Sequence, residues 1–153
     1  MLAAIIGFCE DEVERQGYER LFAEWGLRTL DMLRAWAFAM GERDAGRPVT
    51  PKAIKEIGRL VDPVVNAQGW RKVEVVVGRS RARGLHWGSI PKAVAALCRA
   101  EPTLTPDEFY LEFERIHPFA DGNGRAGKVL HNWLSGTLER PVLIRDYFGD
   151  GLP

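Results

Sequence analysis

Between two stretches of helical periodicity the chain reads "ERIHPFADGNGRAGKVLHNWL", residues 114 to 134. Pro118 cannot continue a helix, and it pushes His117 out of the right-handed α region. Gly122 and Gly124, one residue apart, permit positive φ angles and close backbone approach. Any fold of this chain must therefore stop one helix near Ile116, turn sharply, and start another near Arg125. Val129, Leu130, Trp133 and Leu134 recur on one face of that second helix. The first opens at Thr105-Pro106-Asp107-Glu108, a capping box with proline at the first helical position. It carries Phe109, Leu111, Phe113 and Ile116.

The rest of the chain reads mostly as helix around this break. Its 153 residues suit one domain with one hydrophobic core. Residues 18 to 40 place Phe22, Trp25, Met32, Trp36 and Met40 on one face, an aromatic stripe read as core. Residues 41 to 50 form a loop, broken by two glycines and a proline. Thr50 and Pro51 start a helix carrying Ile54, Ile57, Leu60 and Val61, which ends near Pro63. Ser89 and Pro91 start another through Val94, Leu97 and Cys98. The apolar N-terminus, "MLAAIIGFC", reads as the first turns of a core helix.

Residues 70 to 88 depart from this regime. Val73, Val75, Val76 and Val77 form a β-branched run around Glu74. A basic, glycine-bounded turn follows, then a second short run at Leu85, His86 and Trp87. The pattern predicts a two-stranded hairpin leaning on the helices. Its edge is either a docking strand for another chain or a connector that caps the core. The expected fold class is therefore mainly α: a single-domain helical bundle with one small β-hairpin.

Composition narrows the function classes. The net charge is 0, so no global field draws the protein to nucleic acid or to an anionic membrane. Attraction to phosphate must come from a local site. No segment has membrane-spanning length, and the N-terminus lacks the basic flank of a signal peptide, because Glu10, Asp11 and Glu12 follow it at once. Cys9 and Cys98 lack metal or disulfide spacing and read as small hydrophobes in a reducing compartment. The expected location is the cytoplasm, with delivery to another cell left open.

The turn at 117 to 128 concentrates chemistry. His117 lies just beyond a helix end, where its ring can reach a ligand. Phe119, apolar in a polar loop, anchors that loop in the core. Gly122, Asn123 and Gly124 form a turn whose consecutive amides can make an anion-binding nest at a helix N-terminus. Arg125 and Lys128, three apart, share a helix face near that terminus and can hold two phosphates of one nucleotide. Asp121 aims a carboxylate into a site built for anions, which calls for a cation. Mg²⁺ takes one or two carboxylates plus phosphate oxygens, and Asp121 suits that role. His117 is then the general base. A lone histidine, a Gly-x-Gly or an Asp before Gly is ordinary turn chemistry when taken singly. Their order and combination carry the reading.

These residues resemble a known signature. "HPFADGNGR", His117 to Arg125, looks like the start of the Fic (filamentation induced by cyclic AMP) motif, H-[PFx]-F-x-[DE]-G-N-G-R-x-x-R. The resemblance covers residues 50 to 145, with the helices of 1 to 48 completing a minimal Fic-type bundle. It implies a Mg²⁺-dependent transfer of AMP from ATP to a hydroxyl of a target protein. His117 would deprotonate the target Ser, Thr or Tyr, and Phe119 would anchor the loop. Asp121 would hold Mg²⁺ against the phosphates. Gly122, Asn123 and Gly124 would form the anion hole, and Arg125 would contact the phosphates. The hairpin occupies the place of the family's flap, so Val73, Glu74, Val75, Val76 and Val77 would align the target segment as an added strand.

Two positions depart from that pattern. The signature's last arginine is Lys128, which keeps the charge but loses the bidentate fork. The nucleotide, and hence the group transferred, is thereby left open: phosphorylation, transfer from another nucleotide, or a non-catalytic nucleotide- or peptide-binding module are the alternatives. The second departure is regulatory. Many relatives are held off by a helix of pattern [ST]-x-x-x-E-[GN], whose glutamate pairs with that last arginine. Here Ser135 to Glu139 is followed by Arg140 and lies too close to fold back. The sequence thus shows no internal inhibitor. That points to a separate antitoxin, or to other control, for a toxin-like or phage-borne enzyme.

Overall fold

Caps decide where the helices begin. Thr50 Oγ1 accepts from the Ala53 amide at 3.1 Å and starts α3 (Pro51–Val61). At Thr105 the capping box is complete: the Glu108 amide donates to Thr105 Oγ1 at 3.2 Å, and the Thr105 amide donates to Glu108 Oε2 at 2.8 Å. Such a cap stabilises a helix by about 1 kcal/mol, and α5 (Pro106–Ile116) starts there. The structure, a computed structural model, describes residues 1–77 and 82–144. Its other helices are α1 (Leu2–Arg15), α2 (Ala23–Asp44), α4 (Ile90–Ala100) and α6 (Asn123–Leu134). The fold is mainly α, as the periodicity predicts.

One buried cluster draws on all six helices. It joins Phe8, Cys9 and Val13 of α1 to Met32 and Trp36 of α2, Ile54 and Ile57 of α3, and Ile90 and Val94 of α4. Phe109 and Phe113 of α5 and Val129 and Leu130 of α6 complete it. The long α2 lies against α1, α3 and α6, and α5 packs between α4 and α6. After α6 the chain returns to α2, where Trp36 Nε1 donates to the Leu138 carbonyl at 2.9 Å. Cys9 is fully buried and Cys98 half-buried. Burial pushes the Cys9 thiol up to about 12 and the Cys98 thiol up to about 11, so both stay neutral.

Several boundaries differ from the sequence expectation. The second helix begins at Ala23 and runs through Gly41 to Asp44, into the expected loop. Phe22 is its N-cap and stands 62% exposed, so the aromatic stripe loses its first member to solvent. Met32 and Trp36 are buried as expected. The hairpin is much shorter than read: β1 (Val76–Val77) pairs antiparallel with β2 (Ala82–Arg83), Val76 opposite Arg83 and Val77 opposite Ala82. Val73, Glu74 and Val75 lead into β1 without joining it. Leu85, His86 and Trp87 are no strand, because Trp87–Ser89 already turns into a 3₁₀ helix ahead of α4. The tip, 78 to 81, lies outside the described residues. Among the described residues no helix is long and apolar enough to cross a membrane.

Gly58 of α3 marks the tightest contact with the break at residue 118. A Cβ there would stand 2.0 Å from Phe119 Cζ. Helix propensity alone favours Gly58→Ala by about 1 kcal/mol. Overpacking opposes it by about 1–3 kcal/mol, and with so short a contact overpacking wins. Urea unfolding of Gly58→Ala is expected to show a net loss of stability, and a gain would mean that Phe119 can move aside freely.

Candidate active site

The break between α5 and α6 begins with a strained residue. His117 caps α5 with φ 49° and ψ 63°, a left-handed conformation usually left to glycine. It therefore leaves the right-handed region, as Pro118 requires, by going left-handed. For a side-chain-bearing residue this costs about 1–2 kcal/mol. The surroundings hold it there. The His117 amide donates to Phe113 O at 2.9 Å, and its carbonyl accepts from Arg71 Nε at 2.7 Å. The imidazole is 21% exposed, with Nδ1 3.2 Å from the Glu114 carbonyl. An acceptor at Nδ1 assigns the proton to that nitrogen and leaves the Nε2 lone pair free.

Phe119 and Asn123 lock the rest of the turn. Phe119 is fully buried, 5.4 Å from the Trp70 ring and 6.3 Å from Phe113, between centroids. The Asn123 side chain takes up both backbone groups of Phe119. Its Oδ1 accepts from the Phe119 amide at 2.9 Å, and its Nδ2 donates to the Phe119 carbonyl at 2.8 Å. Asn66 Nδ2 donates to Asp121 O at 2.8 Å and to Gly58 O at 2.9 Å. Gly122, at φ 76°, is the N-cap of α6, so the helix starts at Asn123, two residues earlier than read. Its first amides have no intrahelical acceptor.

These elements enclose a cavity of about 160 Å³ lined by Gln16, His117, Ala120, Asp121, Gly122, Asn123 and Gly124. Helix-terminal amides and a histidine thus share one small polar space. Asp121 is 43% exposed on its side chain; Oδ1 accepts from the Gly122 amide at 2.7 Å. Its Oδ2 lies 3.5 Å from Arg125 Nη2 and 4.0 Å from Arg28 Nη1. Among the described residues no three His, Cys, Asp or Glu converge on a self-sufficient metal site. One accessible carboxylate beside an anion nest does fit Mg²⁺, which keeps water and phosphate oxygens as its other ligands. Asp62 is buried close by, paired with Arg28. Burial alone raises its carboxyl, but the Val65 amide and the Arg28 guanidinium overcome this and hold it below the usual range.

The two cations of α6 are engaged from within the protein. Arg125 is fully buried; Nη1 donates to the Val61 carbonyl at 2.8 Å and Nε to Gln16 Oε1 at 3.2 Å. Its Nη2 has no hydrogen-bond partner and points its donors toward Asp121. Burial lowers the guanidinium from its ordinary value, and the Asp121 charge opposes that. Lys128 is also buried, and its Nζ lies 2.9 Å from Glu12 Oε1. The same oxygen accepts from Gln16 Nε2 at 2.8 Å. A polar chain therefore runs Arg125, Gln16, Glu12, Lys128 and ties α6 to α1. The sequence shows no internal inhibitor, yet the structure brings an acid of α1 to position 128. Glu12 does not fit the inhibitor pattern, because Phe8 stands where Ser or Thr is required and Val13 where Gly or Asn is required. Glu139 instead pairs with Arg43 of α2.

The hairpin is joined to this turn by Arg71, which sequence reasoning passed over. Arg71 is 3% exposed and donates to His117 O, to Val73 O at 2.7 Å, and to Leu85 O, while its amide donates to Pro118 O at 2.9 Å. One guanidinium thus fixes both legs of the hairpin to the histidine's own peptide. Val73, Glu74 and Val76 are exposed, Val75 is half-buried, and Val77 is buried at the base. Arg71→Met is expected to orphan these carbonyls and cost on the order of 3 kcal/mol in urea unfolding, with faster amide exchange at Gly84. A loss below about 1 kcal/mol would mean that water replaces the guanidinium.

Comparison with known proteins places this geometry in context. No curated relative matches the chain. Among solved structures, a Fic-domain-containing signaling protein from Bacteroides thetaiotaomicron aligns with TM-score 0.54 at 24% identity, over 72% of this chain and 46% of that one. A Fic family protein from Desulfovibrio desulfuricans aligns with TM-score 0.51 at 19% identity, over 86% of this chain and 57% of that one. At such identity these likenesses show the fold, and the chain spans about half the length of either protein. The family model described as Fic/DOC family matches residues 48–135, more than half of the chain and all of the turn at 117 to 128. The chain belongs to the Fic/DOC family.

Proposed function

We propose that the protein is a protein adenylyltransferase that moves AMP from ATP to a Ser, Thr or Tyr hydroxyl of a target protein. The observation that carries this reading is the single cavity shared by His117, Asp121 and the N-terminus of α6. The target oxygen attacks the α-phosphorus, the bond to pyrophosphate breaks, and the hydroxyl proton passes to His117 Nε2. The amides of Asn123 and Gly124 and Arg125 Nη2, which has no hydrogen-bond partner, stabilise charge on the phosphate oxygens. Asp121 would hold a magnesium ion, which would screen the phosphate charge. The exposed residues Val73, Glu74 and Val76, at and before the short β1, receive the target segment as an added strand.

The same reading includes control by α1. Ligand pockets run from about 300 to 1,000 Å³, and the cavity of about 160 Å³ is too small for a nucleoside triphosphate. Gln16, the C-cap of α1, forms one wall, and Glu12 occupies the cation nearest the end of the motif. ATP enters when its phosphates replace the Glu12 carboxylate at Lys128. This favours control within the chain over a separate antitoxin.

Incubation with Mg²⁺ and ATP labelled at the α- or γ-phosphate tests the reaction. Transfer of the α-label to a protein substrate or to the enzyme itself is expected, and its loss in His117→Ala. Transfer of the γ-label instead would identify phosphorylation, the reading that Lys128 in place of arginine leaves open. Glu12→Gln is expected to raise α-label transfer at least tenfold, equivalent to about 1.4 kcal/mol toward the open arrangement. It should also lower thermal stability, because Lys128 loses its buried partner. Lower stability with an unchanged rate would make the pair structural only.

A further inference from the structure

Glu114 is a buried carboxylate that neither the core nor the reading above uses. It is 4% exposed on α5, one turn before His117. Its Oε1 has no hydrogen-bond partner. Its Oε2 lies 3.6 Å from His117 Nδ1, and among the described ion pairs this histidine, a cation only when protonated, is its single partner. A buried carboxylate without Lys, Arg or a full set of donors is costly. Such an exception calls for a functional explanation.

The space for it is built from the facing helix. A Cβ on Gly127 of α6 would stand 2.9 Å from Glu114 Oε1 and 2.8 Å from Tyr110 Cε2. A glycine at 127 therefore leaves room for a carboxylate at the seam between α5 and α6. Tyr110, Glu114 and His117, at spacings of four and three, lie along one face of α5 and its cap. The left-handed backbone of His117 turns its ring back over that face, with Nδ1 toward both the carbonyl and the carboxylate of Glu114.

We infer that Glu114 is a positioning residue for His117. Together with its own carbonyl it keeps the proton on Nδ1, so that Nε2 faces the cavity as the base. As Nε2 takes the hydroxyl proton, the ring becomes an imidazolium with the Glu114 carboxylate behind it. The carboxylate thereby gains its counter-ion at the moment of transfer. This is the logic of a carboxylate–histidine pair in acyl transfer, applied to a hydroxyl that attacks phosphorus. The inference rests on the adenylyl-transfer reading for its consequence in rate, but not for the contact itself.

Two variants separate charge from shape. Glu114→Gln keeps the volume and loses the charge; Glu114→Asp keeps the charge and loses a methylene. A positioning role through charge predicts that kcat for α-label transfer falls on the order of tenfold to a hundredfold in Glu114→Gln, with KM for ATP unchanged, and that Glu114→Asp retains more of the rate. A packing role predicts the reverse order, with the isosteric glutamine the better of the two, and that order overturns the inference. The second measurement needs no turnover. Ring ¹⁵N shifts of His117, assigned by their absence in His117→Ala, are expected to move at Nδ1 in Glu114→Gln, with both proteins folded by thermal melting. Unchanged ring shifts overturn the inference whether or not the wild-type protein transfers AMP. Shifted rings in a wild-type protein that transfers nothing would sustain the contact and remove the adenylyl-transfer reading instead.

Discussion

The two hydrogen bonds between the Asn123 side chain and the backbone of Phe119 close the turn on which the site depends. They satisfy a buried amide and a buried carbonyl that lie outside any helix ladder, at the point where the chain must leave α5. With that closure made, Phe119 can drop into the core against Gly58, and the backbone either side of it becomes rigid. His117 before it and Asp121 after it then project from a fixed frame. Without the closure, the left-handed strain at His117 would relax and the histidine would leave the cavity. The polar loop is thus held by an apolar residue, and the apolar residue by a polar one.

Around that frame the protein spends buried polar groups where a plain bundle would use leucine. Asn66, Arg71, Glu114, Arg125 and Lys128 are all buried, and each has a partner in or beside the turn. Such groups lose hydration on folding and regain it only partly through their partners. The core below, from Phe8 through Ile54 to Leu130, must offset the difference. Among the described residues, unsatisfied buried side-chain atoms remain at Glu12 Oε2, Trp25 Nε1, Asn66 Oδ1, Glu114 Oε1 and Arg125 Nη2. All but Trp25 Nε1 belong to side chains that contact the turn or Lys128 beside it, which is where unmet hydrogen-bonding capacity is expected to collect.

What could be read from the sequence was local. Thr50 with Pro51 and Thr105 through Glu108 announce α3 and α5 because caps act within four residues. The break at Pro118 and Gly122 marks the turn for the same reason. The hairpin is shorter than its sequence suggests, since the β-branched Val73 and Val75 report a preference that the guanidinium of Arg71 overrides by binding the Val73 carbonyl. Arg71 and Asn66 were invisible because their partners lie some 46 and 55 residues away. Glu12 was invisible because its partner sits on the last helix and its own stretch fits no pattern. Glu114 did leave a trace: with Tyr110 and His117 it puts a charge on a face that is otherwise buried.

The lysine at 128 and the glutamate at 12 pose one physical question. An arginine at 128 could take both oxygens of Glu12 in a planar fork. The compact ammonium of lysine takes Oε1 alone, and shares that oxygen with Gln16. Glu12 Oε2 has no hydrogen-bond partner and lies 3.5 Å from Arg15 Nη1. The contact across α1 and α6 is therefore a single-point pair in a setting that penalises it for incomplete satisfaction. It gives way to a competing anion more readily than a bidentate pair would. Replacing arginine by lysine weakens the grip on a phosphate, but it weakens the grip of α1 on the site as well. The residue that departs from the signature thus acts on both sides of the balance between a closed cavity and one that admits a nucleotide.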